Sequence, residues 1–231
     1  MTPDLNGEKS LKSSRFGKSK DIVYVLLKES LRGENCPLCY LLVKQKERWL
    51  DSLLYEHVND SVIREKIRRL GFCTKHLWDI LEYSERNPVV DGLGISIILQ
   101  DMLETELAYL LKTSQVQEKR VSECILCKSL DESEKSYLES FAIWLREKEF
   151  SELYKTSSSI FCLNHYKFVF KGLDEVSRVV LLQIQLTKLE KLNKNLESFI
   201  RKFDWNVKEK PTCEEAEAKG KTVNVLKGGN Y

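Results

Sequence analysis

Six of the seven cysteines and two of the three histidines fall into one pattern written twice. Cys36-Pro37-Leu38-Cys39 is followed by Cys73-Thr74-Lys75-His76, and Cys124-Ile125-Leu126-Cys127 by Cys162-Leu163-Asn164-His165. Cys124 lies 88 positions after Cys36, and Cys162 lies 89 after Cys73. Neighbouring residues keep the same offset: Trp49-Leu50-Asp51-Ser52-Leu53 aligns with Tyr137-Leu138-Glu139-Ser140-Phe141, and Phe72-Cys73 with Phe161-Cys162. Two copies at so long a period do not make a solenoid. They predict two tandem, related units fused into one compact domain, each carrying a Cys3His set.

Around these motifs the pattern reads as helix throughout. Hydrophobic residues make up 42% of the 231, and the 10 glycines and 4 prolines are too few for a loop-rich or all-β chain. Asp21 can cap a first helix. Pro37 suits the first turn of a second, where its missing N–H costs nothing, and that helix extends to about His57 with Leu42, Trp49, Leu50, Leu53 and Leu54 at helical spacing. Asp60-Ser61 opens a short helix ended by Leu70-Gly71, and Cys73 to Tyr83 forms another. Gly92–Lys112 is long and apolar at its start. The second half repeats the plan with Ile125 to Leu145, Phe150 to Tyr154, Cys162 to Phe170 and Asp174 to Phe203. The expected organisation is a basic arm over 1–20 with no fixed structure, units over 21–115 and 116–205, and a polar C-terminal arm over 206–231 with little structure of its own. The fold class is all-α.

The four ligands of one unit can meet on this reading. The helix from Cys39 travels about 18 residues, roughly 27 Å, and the helix from Ser61 returns roughly 15 Å. Extended residues around Gly71 add roughly 10 Å. Cys36, Cys39, Cys73 and His76 are therefore expected to form one metal site, and Cys124, Cys127, Cys162 and His165 the other. Each would tie two helix N-termini across a loop of about 33 residues.

Three thiolates and an imidazole are a structural zinc set, and soft sulfur donors without a carboxylate favour zinc. Two Zn2+ per chain are expected, with Cys3His iron–sulfur ligation as the alternative. Covalent haem is excluded, since Tyr40 and Lys128 stand where CxxCH needs histidine. A thioredoxin-type CxxC needs a βαβ context that is missing. Four ligands per unit leave no open position for catalysis. Asp79 and Glu82, the acids near the first set, read as a solvated helix face, so no catalytic residue is assigned. His57 reads as a partly exposed residue at a helix end, and Cys213 as an unpaired surface thiol.

With 37 Lys+Arg against 35 Asp+Glu, the net charge of +2 disfavours a nucleic-acid binder. Two filled sites, each contributing 2 − 3 = −1, bring it to about 0. Lys9, Lys12, Arg15, Lys18 and Lys20 make a basic stretch that reads as a solubilising tail. No run approaches the ~20 apolar residues of a membrane span, and no apolar signal-peptide core opens the chain. Thiol usage of this kind suits a cytoplasmic address.

With CPLC (Cys36–Cys39), GFCTKH (Gly71–His76) and a second CxxC…CxxH, the chain resembles an uncharacterised prokaryotic domain-of-unknown-function family. The resemblance spans about Asp21 to Gly229 and includes Lys202-Phe203-Asp204-Trp205 followed by Pro211 to Glu215. Two positions depart from it: the second CxxC has Ile125 where the first has Pro37, and Thr212-Cys213 stands in place of an aromatic–glycine pair. The resemblance implies the helical fold and the paired motifs, and no activity. The expected function is a zinc-stabilised helical binding or scaffold protein with a protein partner. The rival is a thiol-based redox or metal-responsive switch, ahead of a metal-dependent enzyme or a nucleic-acid binder. A homo-oligomer is compatible with the apolar long helices.

Overall fold

A computed structural model describes residues 21–87, 92–112 and 124–229, and every regular element among them is helical. The basic stretch 1–20 and the unit boundary at 115/116 lie outside the described residues. The helices are α1 (Ile22–Ser30), α2 (Pro37–Asp51), α3 (Ser61–Leu70), α4 (Thr74–Arg86), α5 (Leu93–Lys112), α6 (Ile125–Trp144), α7 (Lys148–Thr156), α8 (Leu163–Lys171), α9 (Glu175–Arg201) and α10 (Cys213–Lys227). A π-helical turn, Ser52–Glu56, continues α2.

Local chemistry sets most of the boundaries. Asp21, Asp60 and Asp174 each accept from the first-turn N–H groups of α1, α3 and α9, satisfying donors that a helix cannot pair internally. Gly71 ends α3 with φ 69°, in the left-handed region open to glycine. The first cysteine of every motif is an N-cap: Cys36, Cys73, Cys124 and Cys162 precede α2, α4, α6 and α8. All four motifs therefore present sulfur at the positive end of a helix, which favours thiolate.

α2 and α6 form the central pair and run antiparallel. Phe72, next to Cys73, meets Trp49 near the far end of α2, with ring centroids 6.1 Å apart. Phe141, near the far end of α6, packs edge-on against Phe161 beside Cys162 at 4.7 Å. Around Phe141 the fully buried rings of Phe150, Tyr154 and Phe161 form an aromatic core. Tyr24 of α1 extends it, packing on Trp144 and Phe150.

The path between the motifs differs from the out-and-back expectation. α3 packs on α5 and α6 rather than returning along α2. Buried Asp101 of α5 holds it there through Arg64 and Arg68, with contacts of 2.8–3.2 Å. α2 and its π turn together run about 30 Å against about 15 Å for α3, so the chain arrives at Gly71 far from Cys36. Ile125 N–H donates to Gly71 O (3.2 Å), which sets Cys73 at the start of α6.

The C-terminal segment is also corrected. Residues 206–231 were expected to have little structure, yet Cys213–Lys227 is a helix. Thr212 and Glu215 form a reciprocal capping box, and the Thr-x-x-Glu spacing that encodes it stands in the sequence. α10 packs on α9 and α8. Buried Glu215 accepts from Ser198 Oγ (2.6 Å) and Lys202 Nζ (2.9 Å), and Ala218 and Val225 are buried beneath the helix.

Candidate metal centres

The eight predicted residues gather into two groups, with the partners crossed between units. The first centre joins Cys36 and Cys39 of α2's N-terminus to Cys162 and His165 of α8's. The second joins Cys73 and His76 of α4's N-terminus to Cys124 and Cys127 of α6's. In each, the four donor atoms lie within 4.8 Å of one another. The expectation that Cys36 and Cys39 would meet Cys73 and His76, and Cys124 and Cys127 meet Cys162 and His165, is corrected. Each CxxC faces the CxxH of the other half, because the antiparallel α2–α6 pair puts the start of one helix beside the end of the other.

In the first centre His165 Nδ1 lies 3.2 Å from Cys36 Sγ and 3.3 Å from both Cys39 and Cys162 Sγ, with Cys39 and Cys162 sulfurs 3.8 Å apart. In the second, His76 Nδ1 lies 3.4, 3.3 and 3.2 Å from the sulfurs of Cys73, Cys124 and Cys127, and Cys73 and Cys127 sulfurs are 3.8 Å apart. A tetrahedral zinc with bonds near 2.3 Å to sulfur and 2.0–2.1 Å to nitrogen has S···S edges of about 3.8 Å and S···N edges of about 3.5 Å. Both donor sets fit a single tetrahedral ion.

Backbone and neighbours position the ligands. Cys127 N–H donates to Cys124 Sγ (3.5 Å) and His165 N–H to Cys162 Sγ (3.4 Å), the usual N-cap bond with sulfur as acceptor. The segment before Cys162 is held by α9. Gln185 Nε2 donates to Phe161 O (3.0 Å), and Lys188 Nζ to the carbonyls of Ser157 (2.6 Å) and Ser159 (2.8 Å). Burial lowers the Lys188 amine to about 8. Across the first centre, Glu134 Oε1 of α6 sits 2.8 Å from His165 Nε2 and fixes the ring with Nδ1 toward the sulfurs. Gly229 N–H donates to Cys39 Sγ (3.1 Å) from the end of α10.

The sulfurs and rings of each centre set one another's protonation. Hydrogen bonds from Cys36 and Cys39 hold Cys162 well below the usual thiol range, while burial pushes Cys36 well above it. Burial opposes a proton on His165, but Cys162 and Cys39 outweigh it and raise the imidazole to about 10. In the second centre burial and Cys124 push Cys127 up to about 12. Cys73 stays below the ordinary value despite its burial because the His76 N–H donates to it. Three thiolates this close repel one another, and a divalent ion at their centre would let all three ionise.

The remaining two candidates lie elsewhere. His57 closes the π turn, half-exposed, with Nε2 3.9 Å from a Glu56 carboxylate oxygen. Cys213 is exposed at the first turn of α10 and joins neither group. Asp79 pairs with Lys46 at 2.8 Å. Among the described residues no helix is long and apolar enough to cross a membrane.

The model of a family of unknown function, DUF6062, matches residues 19–231. The chain belongs to that family. It is also similar to the "Uncharacterized 23.9 kDa protein in xynA 3'region" of Caldicellulosiruptor sp. (strain Rt8B.4). The two are 24% identical over 208 residues, which is 87% of this chain and 98% of the relative. No solved structure matches. The resemblance read from CPLC and GFCTKH thus leads to a family that carries no assigned activity.

Proposed function

We propose that this DUF6062 protein is a cytoplasmic helical scaffold held together by two structural zinc ions, ligated by Cys36, Cys39, Cys162 and His165 and by Cys73, His76, Cys124 and Cys127. Its two halves are copies of one helical unit, and its partner is another protein. The observation that carries this reading is the crossed pairing: both Cys3His sets close at the spacing of one tetrahedral ion, from motifs far apart in the chain. Metal affinity then becomes folding free energy, because the ligands converge only in the folded state. Zinc is favoured over an iron–sulfur cluster because a cluster distributes its thiolates over several irons, whereas these donors surround one point. All four positions of each ion are filled by the chain, which suits a structural role rather than catalysis.

The test is elemental analysis of natively purified protein with an absorption spectrum of the same sample. Two zinc per chain and no visible absorption support the reading. Iron with visible bands replaces it with electron transfer or redox sensing. A metal-free protein that stays folded in chelator overturns it.

A further inference from the structure

The two centres share a ligand set but differ in what surrounds it. Cys36, Cys39, Cys162 and His165 are all buried, at 1–3% exposure. In the second centre Cys124 and His76 are buried, while Cys73 and Cys127, whose sulfurs are 3.8 Å apart, are partly open to solvent.

The histidines differ more sharply. His165 Nε2 has the Glu134 carboxylate at 2.8 Å. Glu134 lies ten residues after Cys124, and the residue ten after Cys36 is Lys46. An ammonium has only donors, so Lys46 cannot accept from an imidazole N–H as Glu134 can. It turns to Asp79 instead, at 2.8 Å. His76 Nε2 is left buried with no hydrogen-bond partner among the described residues. An acceptor behind a ligating histidine fixes its ring and strengthens it as a donor, and removing one costs about 10–100-fold in metal affinity.

A cover on the first centre is the third difference among the described residues. Gly228 leaves α10 with φ 85°, and a Cβ there would lie 3.6 Å from Cys162 Sγ and 3.7 Å from Cys39 Sγ. Gly229 then donates its N–H to Cys39. α10 is pinned beside the first centre by Asn224 to Asn35 (2.9 Å) and Lys221 to Glu34 (2.7 Å). This glycine strap covers the first centre.

We infer that the second centre is an exchangeable zinc site, which yields its ion to competing chelators and presents Cys73 and Cys127 as the exit edge, while the first centre retains its ion. The inference rests on the reading of both centres as metal sites. Exchange is ligand substitution: the incoming donors bond to Zn2+ as the three thiolates and His76 leave it, with no change of oxidation state.

The experiment uses the full-length protein, with zinc content measured first. The protein is loaded with Zn2+ and desalted beforehand, and a chain that then holds no zinc overturns the metal reading itself, and this inference with it. With two present, excess 4-(2-pyridylazo)resorcinol should draw zinc in two phases of one equivalent each, about 10–100-fold apart in rate. A brief iodoacetamide pulse after the fast phase, read by mass spectrometry, should label Cys73, Cys124 and Cys127 and spare Cys36, Cys39 and Cys162. Exposed Cys213 is labelled throughout and serves as the internal standard. No variant is needed for this assignment. In support, Glu134→Lys should accelerate the slow phase, and Lys46→Glu with Asp79→Asn should slow the fast one. Release of both equivalents at one rate, or first labelling of Cys36, Cys39 and Cys162, overturns the inference.

Discussion

Cys36 and His165 stand 129 residues apart in the chain, and their Sγ and Nδ1 atoms lie 3.2 Å apart. The second centre spans a shorter interval, with Cys73 and Cys127 separated by 54 residues. On the proposed zinc reading each ion binds only the folded chain, so its affinity, on the order of 10 kcal/mol for a structural site, adds to folding stability and is largely forfeited when a ligand is removed. In a domain of this size 1 kcal/mol moves the melting temperature by about 2–4 °C. Cys162→Ala is therefore expected to lower Tm by about 10 °C or more, read by circular dichroism in reducing buffer. A change within about 2 °C would show that the first centre cross-links nothing.

Gly94 of α5 lies directly against the backbone of the π turn. A Cβ there would lie 2.4 Å from Leu54 O and 3.2 Å from Leu54 C, both backbone atoms of the π turn. Alanine in place of glycine normally improves a helix by about 0.8–1.0 kcal/mol. Here the clash prevails, because a carbonyl in a helix cannot turn aside as a side chain can. Overpacking of this kind costs about 1–3 kcal/mol or more. Gly94→Ala should thus shift the urea midpoint downward, and an upward shift would contradict the contact.

At the glycine strap, Gly228 has φ 85° and ψ 174°, a region essentially reserved for glycine. A Cβ on Gly229 would lie 3.0 Å from Cys39 Cβ. Gly228→Ala with Gly229→Ala should lift the strap while leaving α10 docked through Glu215. The expected result is faster alkylation of Cys39 in the zinc-loaded protein, with far-UV circular dichroism unchanged. Equal labelling rates in variant and parent would show that the strap does not shield the sulfur.

The docking of α10 should depend on pH through Glu215. Hydrogen bonds from Ser198, the Thr212 N–H and Lys202 hold its carboxyl at about 2, below the ordinary 4.5. A depressed folded-state value means stabilisation that is complete above pH 4.5 and lost as pH falls toward 2. Comparison with Glu215→Gln separates this from acid release of metal, which affects both proteins. The stability difference between them, followed by hydrogen exchange of α10, should be constant above pH 5 and vanish near pH 2. A difference that persists at pH 2 would place the origin elsewhere.

Local structure could be read closely from residues. Asp21 and Asp60 cap where their side chains suggested, Asp174 caps the helix expected to start with it, Gly71 stops α3, and each motif opens a helix with its first cysteine as cap. These features depend on groups within four positions of one another, so spacing alone reports them. α10 was equally open to reading, through Thr212-x-x-Glu215, but the polar residues around it concealed a helix whose buried face is only Glu215, Ala218 and Val225.

The ligand residues could be picked out because cysteine and histidine at i and i+3 share one helix face. Their partnership could not. Motif spacing is the same whether Cys36 meets Cys73 or Cys162, and path length along helices permits both. The choice is made by packing: Asp101 draws α3 toward α5, Gly71 bonds to Ile125, and the aromatic core joins the end of α6 to the segment before Cys162. The same holds for the unlike surroundings of the two histidines. That Lys46 and Glu134 occupy like places is visible in the chain, but that Glu134 reaches the His165 ring while Lys46 turns to Asp79 depends on how α2 and α6 lie against α4 and α8. Short-range order follows from neighbouring residues, whereas contacts across 48 to 129 positions arise only when burial of the whole core selects one arrangement.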